Sequence, residues 1–358
     1  MRGHVLSEPG RSRVSVALAL AVGLGSVACM APVDESPTAE LRAPIVNGEA
    51  SDTTEDYVVR LESKAVGSNG ENCTATLVAP NVVFTALHCV SYFGAGIFSC
   101  DPDGTLVPTK PGDGEIRALA PAESVRVYVG PETKTEPDAY GIKVFGTGAS
   151  NICRNDFAIV ILDRNLELPV ASLRLVRPMA RGELMTIVGY GLTEDKMSHG
   201  RRRRSGVTVT DVGPLVLSGP TTAAPRTFVL SQGACFGDSG GPAFSEETGA
   251  LSGVYSLAGG QVCTAPNVRN VYTRLSPFAK LIEQAFAEAG AEPVLEPYDG
   301  PPEQIDDPDG GPSEPEDESG GSGSRSQGCA SAPGRPGSTA VGLVFALAAV
   351  MRLRRRRS

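Results

Sequence analysis

From Ile45 onward the chain is written in short runs, alternating or wholly apolar, separated by Gly, Pro, Asn and Asp. YVVRLES, TATLVAP, NVVFTALH, SVRVYVG, FAIVILD, LMTIVGYG, GVTVTDVG, RTFVLS, LSGVYSLA and NVYTRLS are the clearest. Runs this short, rich in β-branched residues and broken this often, predict strands, and many of them in series predict an all-β barrel or sandwich. One stretch departs from the pattern: PFAKLIEQAFAEAG, 277–290, places Phe278, Leu281, Ile282 and Phe286 on one helical face. Pro277 suits its first turn and Gly290 its stop.

The flanks have a different texture. Arg11 and Arg13 precede VSVALALAVGLGSVAC, which ends in small residues and Cys29, so residues 1–28 predict an export signal. The same run is short for a membrane anchor. SVAC also fits a lipoprotein site with Cys29 lipidated, although Ser26 stands where such sites usually carry Leu. Residues 29–44 are polar and Pro-rich and read as a pro-segment. Between 291 and 320 lie eleven acidic side chains and no Lys or Arg, so the net charge of −9 belongs to this segment and the rest is nearly neutral. Nothing in that balance points to a nucleic-acid partner. Residues 291–328 are expected to form an extended spacer.

The last segment, 329–358, has Cys329, an apolar stretch from about Ala340 to Met351, and five Arg in its final seven residues. It resembles the tripartite C-terminal sorting signal of myxobacterial surface proteins. That resemblance implies cutting near Cys329 by sorting machinery and an exported product held at the cell surface or outer membrane, or released from it.

Six of the eight cysteines fall between 73 and 263, an even number suited to three disulfides in an oxidising compartment. The other reading is free buried thiols or a metal site. No CxxC pair occurs and the chain has only three His, so no metal and no cofactor is expected.

The stretch GACFGDSGGPAF, 233–244, surrounds Ser239 with glycines that allow a tight turn and convergent backbone N–H groups. Acyl transfer at neutral pH needs such a hydroxyl, a base, a carboxylate to orient the base, and donors for the oxyanion. His4 lies in the signal and His199 in a polar loop, which leaves His88 in FTALHCV as the base. Asp156 in NDFAIVIL, at the mouth of a strand, is the matching carboxylate.

IVNGEA at 45, TALHC at 85, NDFAIVIL at 155, GYG at 189, CFGDSGGP at 235 and VYTRL at 271 together resemble the trypsin-like serine proteases over roughly 45–290. The resemblance implies two six-stranded antiparallel Greek-key barrels, a C-terminal helix, and a site in the cleft between the barrels. It implies His88 as general base, Asp156 as its orienter, Ser239 as nucleophile, and the N–H groups of Gly237 and Ser239 as oxyanion hole. Ser256 would lie behind Asp156, and the Ser256–Leu257–Ala258 backbone would pair with a peptide substrate as an added strand. Disulfides Cys73–Cys89 and Cys235–Cys263 follow from the same frame. Cys100 and Cys153 remain and are paired with each other, which is not a general family feature. A monomer acting on protein or peptide substrates is expected.

Two departures qualify the resemblance. Trypsin has an Asp six residues before its nucleophile; here Gly233 stands there, followed by Ala234, with Ala258 and Asn270 across the pocket. Asn270 is expected to narrow the slot and offer it a neutral polar group. Cleavage after small or medium apolar residues is therefore expected, rather than after Arg or Lys. In the family, cutting before the Ile frees an amine that pairs with the Asp preceding the nucleophile, here Ile45 and Asp238. Pro44 blocks a trypsin-like activating peptidase, so maturation is expected to proceed by a cut after Arg42 and removal of Ala43-Pro44 by an X-Pro dipeptidyl peptidase. The alternative to an enzyme is an inactive protease-like module that binds through its cleft. The basic run Arg201–Arg204 reads as a solvated loop, the rivals being an exosite or a self-cleavage site.

Overall fold

The computed structural model describes residues 45–64, 72–192, 200–215, 223–259, 263, 265 and 268–304. The signal, the pro-segment, Cys29, His199, residues 305–328 and the sorting tail with Cys329 lie outside the described residues.

Twelve strands make two closed, antiparallel, six-stranded barrels. The first contains β1 (Val58–Glu62), β2 (Cys73–Ala79), β3 (Val82–Thr85), β4 (Arg126–Tyr128), β5 (Ala139–Gly146) and β6 (Ala158–Leu162). The second contains β7 (Leu184–Gly189), β8 (Arg202–Val212), β9 (Thr227–Leu230), β10 (Pro242–Ser245), β11 (Leu251–Gly259) and β12 (Arg269–Arg274). The barrels close as β1-β2-β3-β6-β5-β4 and β7-β8-β9-β12-β11-β10, the same order twice. That repeat is invisible in the sequence. Closure pairs every barrel strand on both sides, and the short strand Glu49–Ala50 adds itself outside the second barrel on Arg202–Arg203 of β8.

Three apolar cores explain why several strands read as unbroken hydrophobic runs rather than alternating ones. In β6, Ala158, Val160 and Leu162 fill the first barrel. Ile159 of the same strand faces the other way, into a core shared by both barrels with Phe84, Phe157, Val188, Phe244 and Val254. The second barrel encloses Met185, Ile187, Val207, Phe228 and Tyr272. Strands β5 and β10 carry weaker signals. AYGIKVFG has two glycines and mostly half-buried or exposed side chains, and PAFS is short and begins at Pro.

The helix expected over 277–290 is α1, Ala279–Ala289, entered through a 3₁₀ turn at Ser276–Phe278. Ile282, Ala285 and Phe286 are its buried face, and the Phe286 ring meets Phe84 edge-on at 6.2 Å in the shared core. Gly290 ends it at φ 65°, a conformation without steric cost only for glycine.

The chain does not leave the domain at 290. Residues 291–304 run back along it: Leu173 N–H donates to Val294 O at 2.8 Å and Glu296 N–H to Leu173 O at 2.9 Å. Glu296 is buried against Arg174 at 3.2 Å and accepts from the Thr248 hydroxyl at 2.6 Å. Glu303 pairs with Arg274 and Ser276. The acidic composition that suggests a spacer from 291 therefore includes, within 291–304, two acids whose basic partners are displayed by the domain.

Cys73–Cys89, Cys100–Cys153 and Cys235–Cys263 are all bonded. Each bridge contributes roughly 2–4 kcal/mol. The second ties an insertion after His88, made of two small hairpins (Ser91–Phe93 with Ile116–Leu119, Phe98–Cys100 with Leu106–Pro108), to the turn before Asp156.

Arg201–Arg204 is not the solvated loop expected. Arg202–Arg204 begin β8, and Arg201 is 1% exposed. Arg201 reaches Ser51 Oγ, Val58 O and Asp56, while Arg202 donates to Gly48 O. Arg203 pairs with Glu49 and Glu55, and Arg204 donates to Val46 O. The four guanidiniums hold the segment that follows Ile45. A charge run is hydrated only where no carbonyls or carboxylates are aligned to receive it.

Replacing Glu296 by Ala should destabilise the domain by about 2–3 kcal/mol, below the full cost of a broken buried pair because Arg174 keeps Glu183. Urea unfolding of the variant and of a chain ending at 290 would measure this, the truncation losing at least as much.

Candidate active site

His88 sits in the 3₁₀ turn Leu87–Val90 that follows β3, and Asp156 in the turn that leads into β6. These two strands are paired, Ala158 opposite Thr85, so the ladder brings the turns together. His88 donates its backbone N–H to Asp156 Oδ1 at 2.9 Å, and its Nδ1 lies 2.8 Å from Oδ2. Ser256 Oγ, from β11 of the other barrel, donates to the same Oδ2 at 2.6 Å. Asp156 is completely buried. A buried carboxylate is tolerated only when donors surround it, and these three come from both barrels.

The glycine-rich loop carrying Ser239 stands against the His88 turn. Cys89 Sγ, next to His88, lies 3.5 Å from Ser239 O. Gly237 adopts φ 94°, and a Cβ there would come within 2.8 Å of Gly191 Cα, so only glycine fits. Asp238 is buried and accepts from the N–H groups of Gly191 and Cys235, each at 2.8 Å. The glycines of GYG make room for it, since a Cβ on Gly189 or Gly191 would strike its carboxyl. Burial pushes the Asp238 carboxyl up to about 7, the two backbone donors opposing that rise.

Ile45 is 1% exposed in the core of the second barrel, at φ 42°. Val46 packs on the Cys235–Cys263 bridge, and its N–H donates to Gly233 O at 2.7 Å. Of the two residues expected to join on activation, Ile45 lies in the core of the second barrel and Asp238 in the loop with Ser239, which joins β9 to β10 of that barrel.

At the expected substrate pocket, Gly233 has the Ile187 and Val207 side chains behind it. Ala234 is buried. Asn270 differs from expectation: its amide is spent. Oδ1 accepts from Ala234 N–H and Nδ2 donates to Ala234 O, both at 3.0 Å, with Tyr255 OH a further acceptor at 3.3 Å. It offers no free polar group there, because a fully buried amide bonds the nearest backbone. Leu257 packs with Ala223, Val229 and Val271, and Ala258 pairs across to Asn270 on β12.

Several contributors carry no sequence signal of their own. Phe93, in the insertion, brings its ring to 5.6 Å from that of His88. Arg204 Nη1 bridges Val46 O at 2.7 Å and Gln232 O at 2.8 Å, linking the N-terminal segment to the wall that precedes Gly233. Thr74 of β2 lies wholly buried beneath the loop that carries Ser239. Cys73, His88 and Cys89 also come close together, but both sulfurs are consumed in one disulfide and make no thiolate ligands.

Two barrels of this order, with a carboxylate-held His and a glycine-flanked Ser at their junction, have the architecture of a serine peptidase. A family model described as Trypsin matches residues 45–282. Phenoloxidase-activating factor 3 of Holotrichia diomphalia is 26% identical over 267 residues, covering 67% of this chain and 72% of its own. The peroxisomal leader peptide-processing protease of Homo sapiens is 31% identical over 147 residues, 38% of this chain and only 22% of that protein. The chain belongs to the trypsin family of serine proteases.

Asn270→Ala should cost about 2 kcal/mol by leaving both polar groups of Ala234 unpaired. A downward shift of the urea midpoint with unchanged slope would register it.

Proposed function

We propose that this protein is an exported serine endopeptidase that cleaves proteins or peptides through an acyl-enzyme, with His88, Asp156 and Ser239 as its catalytic residues. The observation that carries the reading is the chain of bonds Ser256–Asp156–His88, which spans both barrels and ends at the turn facing the Ser239 loop. With Nδ1–H donated to Asp156, the base is His88 Nε2 through its lone pair. It takes the proton of Ser239 as Oγ attacks the scissile carbonyl. The N–H groups of Gly237 and Ser239 receive the oxyanion. His88 then returns the proton to the leaving amine, and water repeats the sequence to release the acid. The names of the two relatives describe a factor that activates phenoloxidase and a protease that processes leader peptides. Protein substrates are the assignment consistent with both.

Specificity follows from what the pocket lacks. Gly233 offers no carboxylate, Ile187 and Val207 line its back, and the amide of Asn270 is engaged elsewhere. An entering Arg or Lys would be a desolvated charge without a partner, at roughly 3–5 kcal/mol. Small or medium apolar side chains suit the site. Activation before Ile45 has a physical motive as well. A β-branched residue at φ 42° is strained, and cutting the bond before Ile45 removes the peptide that defines that angle. The amine released would give the buried Asp238 a cation. Maturation through Arg42 and removal of Ala43-Pro44, export by residues 1–28, and retention through Cys329 complete the proposal.

A fluorophosphonate probe should label the protein beginning at Ile45 and fail on Ser239→Ala, whose kcat should fall by about 10⁴ or more. Peptides with Ala, Val or Leu before the scissile bond should be cut faster than those with Arg or Lys; the reverse order would refute the pocket assignment. A third expectation concerns pH. A carboxyl raised to about 7 keeps in the native state a proton that the unfolded chain has released, so stability falls as pH rises between the two values. For Ser239→Ala protein, thermal unfolding from about pH 4 to 8 should show this loss in the uncut chain and a smaller one after cutting before Ile45.

A further inference from the structure

Five residues, Gly237 to Gly241, include four that are glycine or serine, a segment with little intrinsic preference for one backbone path. Its shape must be imposed from outside, and Thr74 is where the first barrel does so. Thr74 uses every polar group it has. Its N–H donates to Ser239 O at 2.8 Å and its carbonyl accepts from Thr85 Oγ1 at 3.0 Å. Its hydroxyl donates to Gly237 O at 3.1 Å and accepts the Tyr190 N–H at 3.1 Å. The residue is 0% exposed, so no water can replace these bonds.

The placement has a consequence for the two amides assigned to the oxyanion. They are the N–H groups of Gly237 and Ser239, and the peptide unit between them joins Gly237 to Asp238. That unit is gripped at both ends: its carbonyl by the Thr74 hydroxyl, and its N–H by Cys235 O at 3.1 Å. The next carbonyl but one, that of Ser239, is held by the Thr74 backbone. Because Thr74 Oγ1 is itself anchored by Tyr190, which abuts the Gly191 donor to Asp238, one hydroxyl links the first barrel, the end of β7 and the nucleophile loop.

We propose that the Thr74 hydroxyl is a positioning residue for the oxyanion-binding segment, setting the angle at which the Gly237 and Ser239 amides meet the developing charge. The inference rests on the assignment of Ser239 as nucleophile. It touches no substrate. Donors aimed at a transition-state oxyanion act through geometry fixed beforehand, so loosening that geometry weakens the transition state more than the bound substrate.

The test uses the active protein beginning at Ile45 and three variants, Thr74→Val, Thr74→Ala and Thr74→Ser, each with its active sites titrated by the fluorophosphonate probe. Thr74→Val keeps the shape and removes the bridge. Its kcat and its acylation rate per titrated site should fall roughly tenfold, less than the 10²–10³ lost with an oxyanion donor itself. KM should stay within about twofold, and Thr74→Ser should recover most of the rate. A merely structural role would lower the unfolding temperature or the fraction of titratable sites and leave the rate per site alone, and that result overturns the proposal. Should Thr74→Val not fold, the comparison of Ala with Ser decides, equal per-site rates again overturning it. Failure of the unsubstituted protein to react with the probe would instead overturn the assignment of Ser239, and this inference with it.

Discussion

The loop that carries Ser239 cannot satisfy its own backbone, and that constraint organises the molecule. Between Cys235 and Gly241 the chain makes two short internal backbone bonds, Asp238 N–H to Cys235 O and Gly241 N–H to Asp238 O, besides the Cys235 N–H bond to the Asp238 carboxylate. Other partners come from elsewhere, among them Thr74 and Cys89 in the first barrel, Gly191 and Leu192 after β7, and Tyr255 on β11, whose carbonyl accepts from Gly240. A loop held from both barrels has a defined shape only while the barrels are docked. The docking is done by apolar burial, with Phe84 and Phe157 from one side and Val188, Phe244 and Val254 from the other, and α1 closing the seam. Site geometry is therefore a consequence of the shared core.

Both ends of the described domain are fastened by charge in the same spirit. At its start, four successive arginines receive the carbonyls and carboxylates of residues 46–56. At its end, Glu296 and Glu303 meet Arg174 and Arg274. Exposed ion pairs contribute little, but Arg201 and Glu296 are buried and hydrogen-bonded on several sides, where loss of one partner is costly. The bridging position of Arg204 makes the seating of Ile45–Val46 and the shape of the pocket wall one structural event.

Much was legible in one dimension. The alternation of short runs identified ten of the barrel strands. It missed β5, whose glycines and exposed face blur the period, and β10, four residues opening on Pro242. The cysteine count anticipated three bridges, and the motifs around residues 88 and 156 singled out two side chains that the fold brings together, in a turn that meets the backbone of the Ser239 loop. What failed was reading composition as exposure. RRRR looked hydrated and is partly core; the acids after 290 looked unfolded and begin in a segment docked on the domain; the amide of Asn270 looked available and is not.

By itself, then, the sequence determined the chemistry on offer and the class of fold, because both depend on residue type and local period. Strand rhythm, an isolated histidine in an apolar run and a serine among glycines need no third dimension to be noticed. Tertiary structure alone decided which carbonyl each arginine would meet, which amide would be consumed, and that the Thr74 hydroxyl would bond the Gly237 carbonyl in the loop that carries Ser239. Several of those outcomes depend on pairings between residues a hundred or more positions apart, such as Thr74 with Gly237 and Asp156 with Ser256. Distance along the chain carries no information about such contacts until the barrels close and bury them.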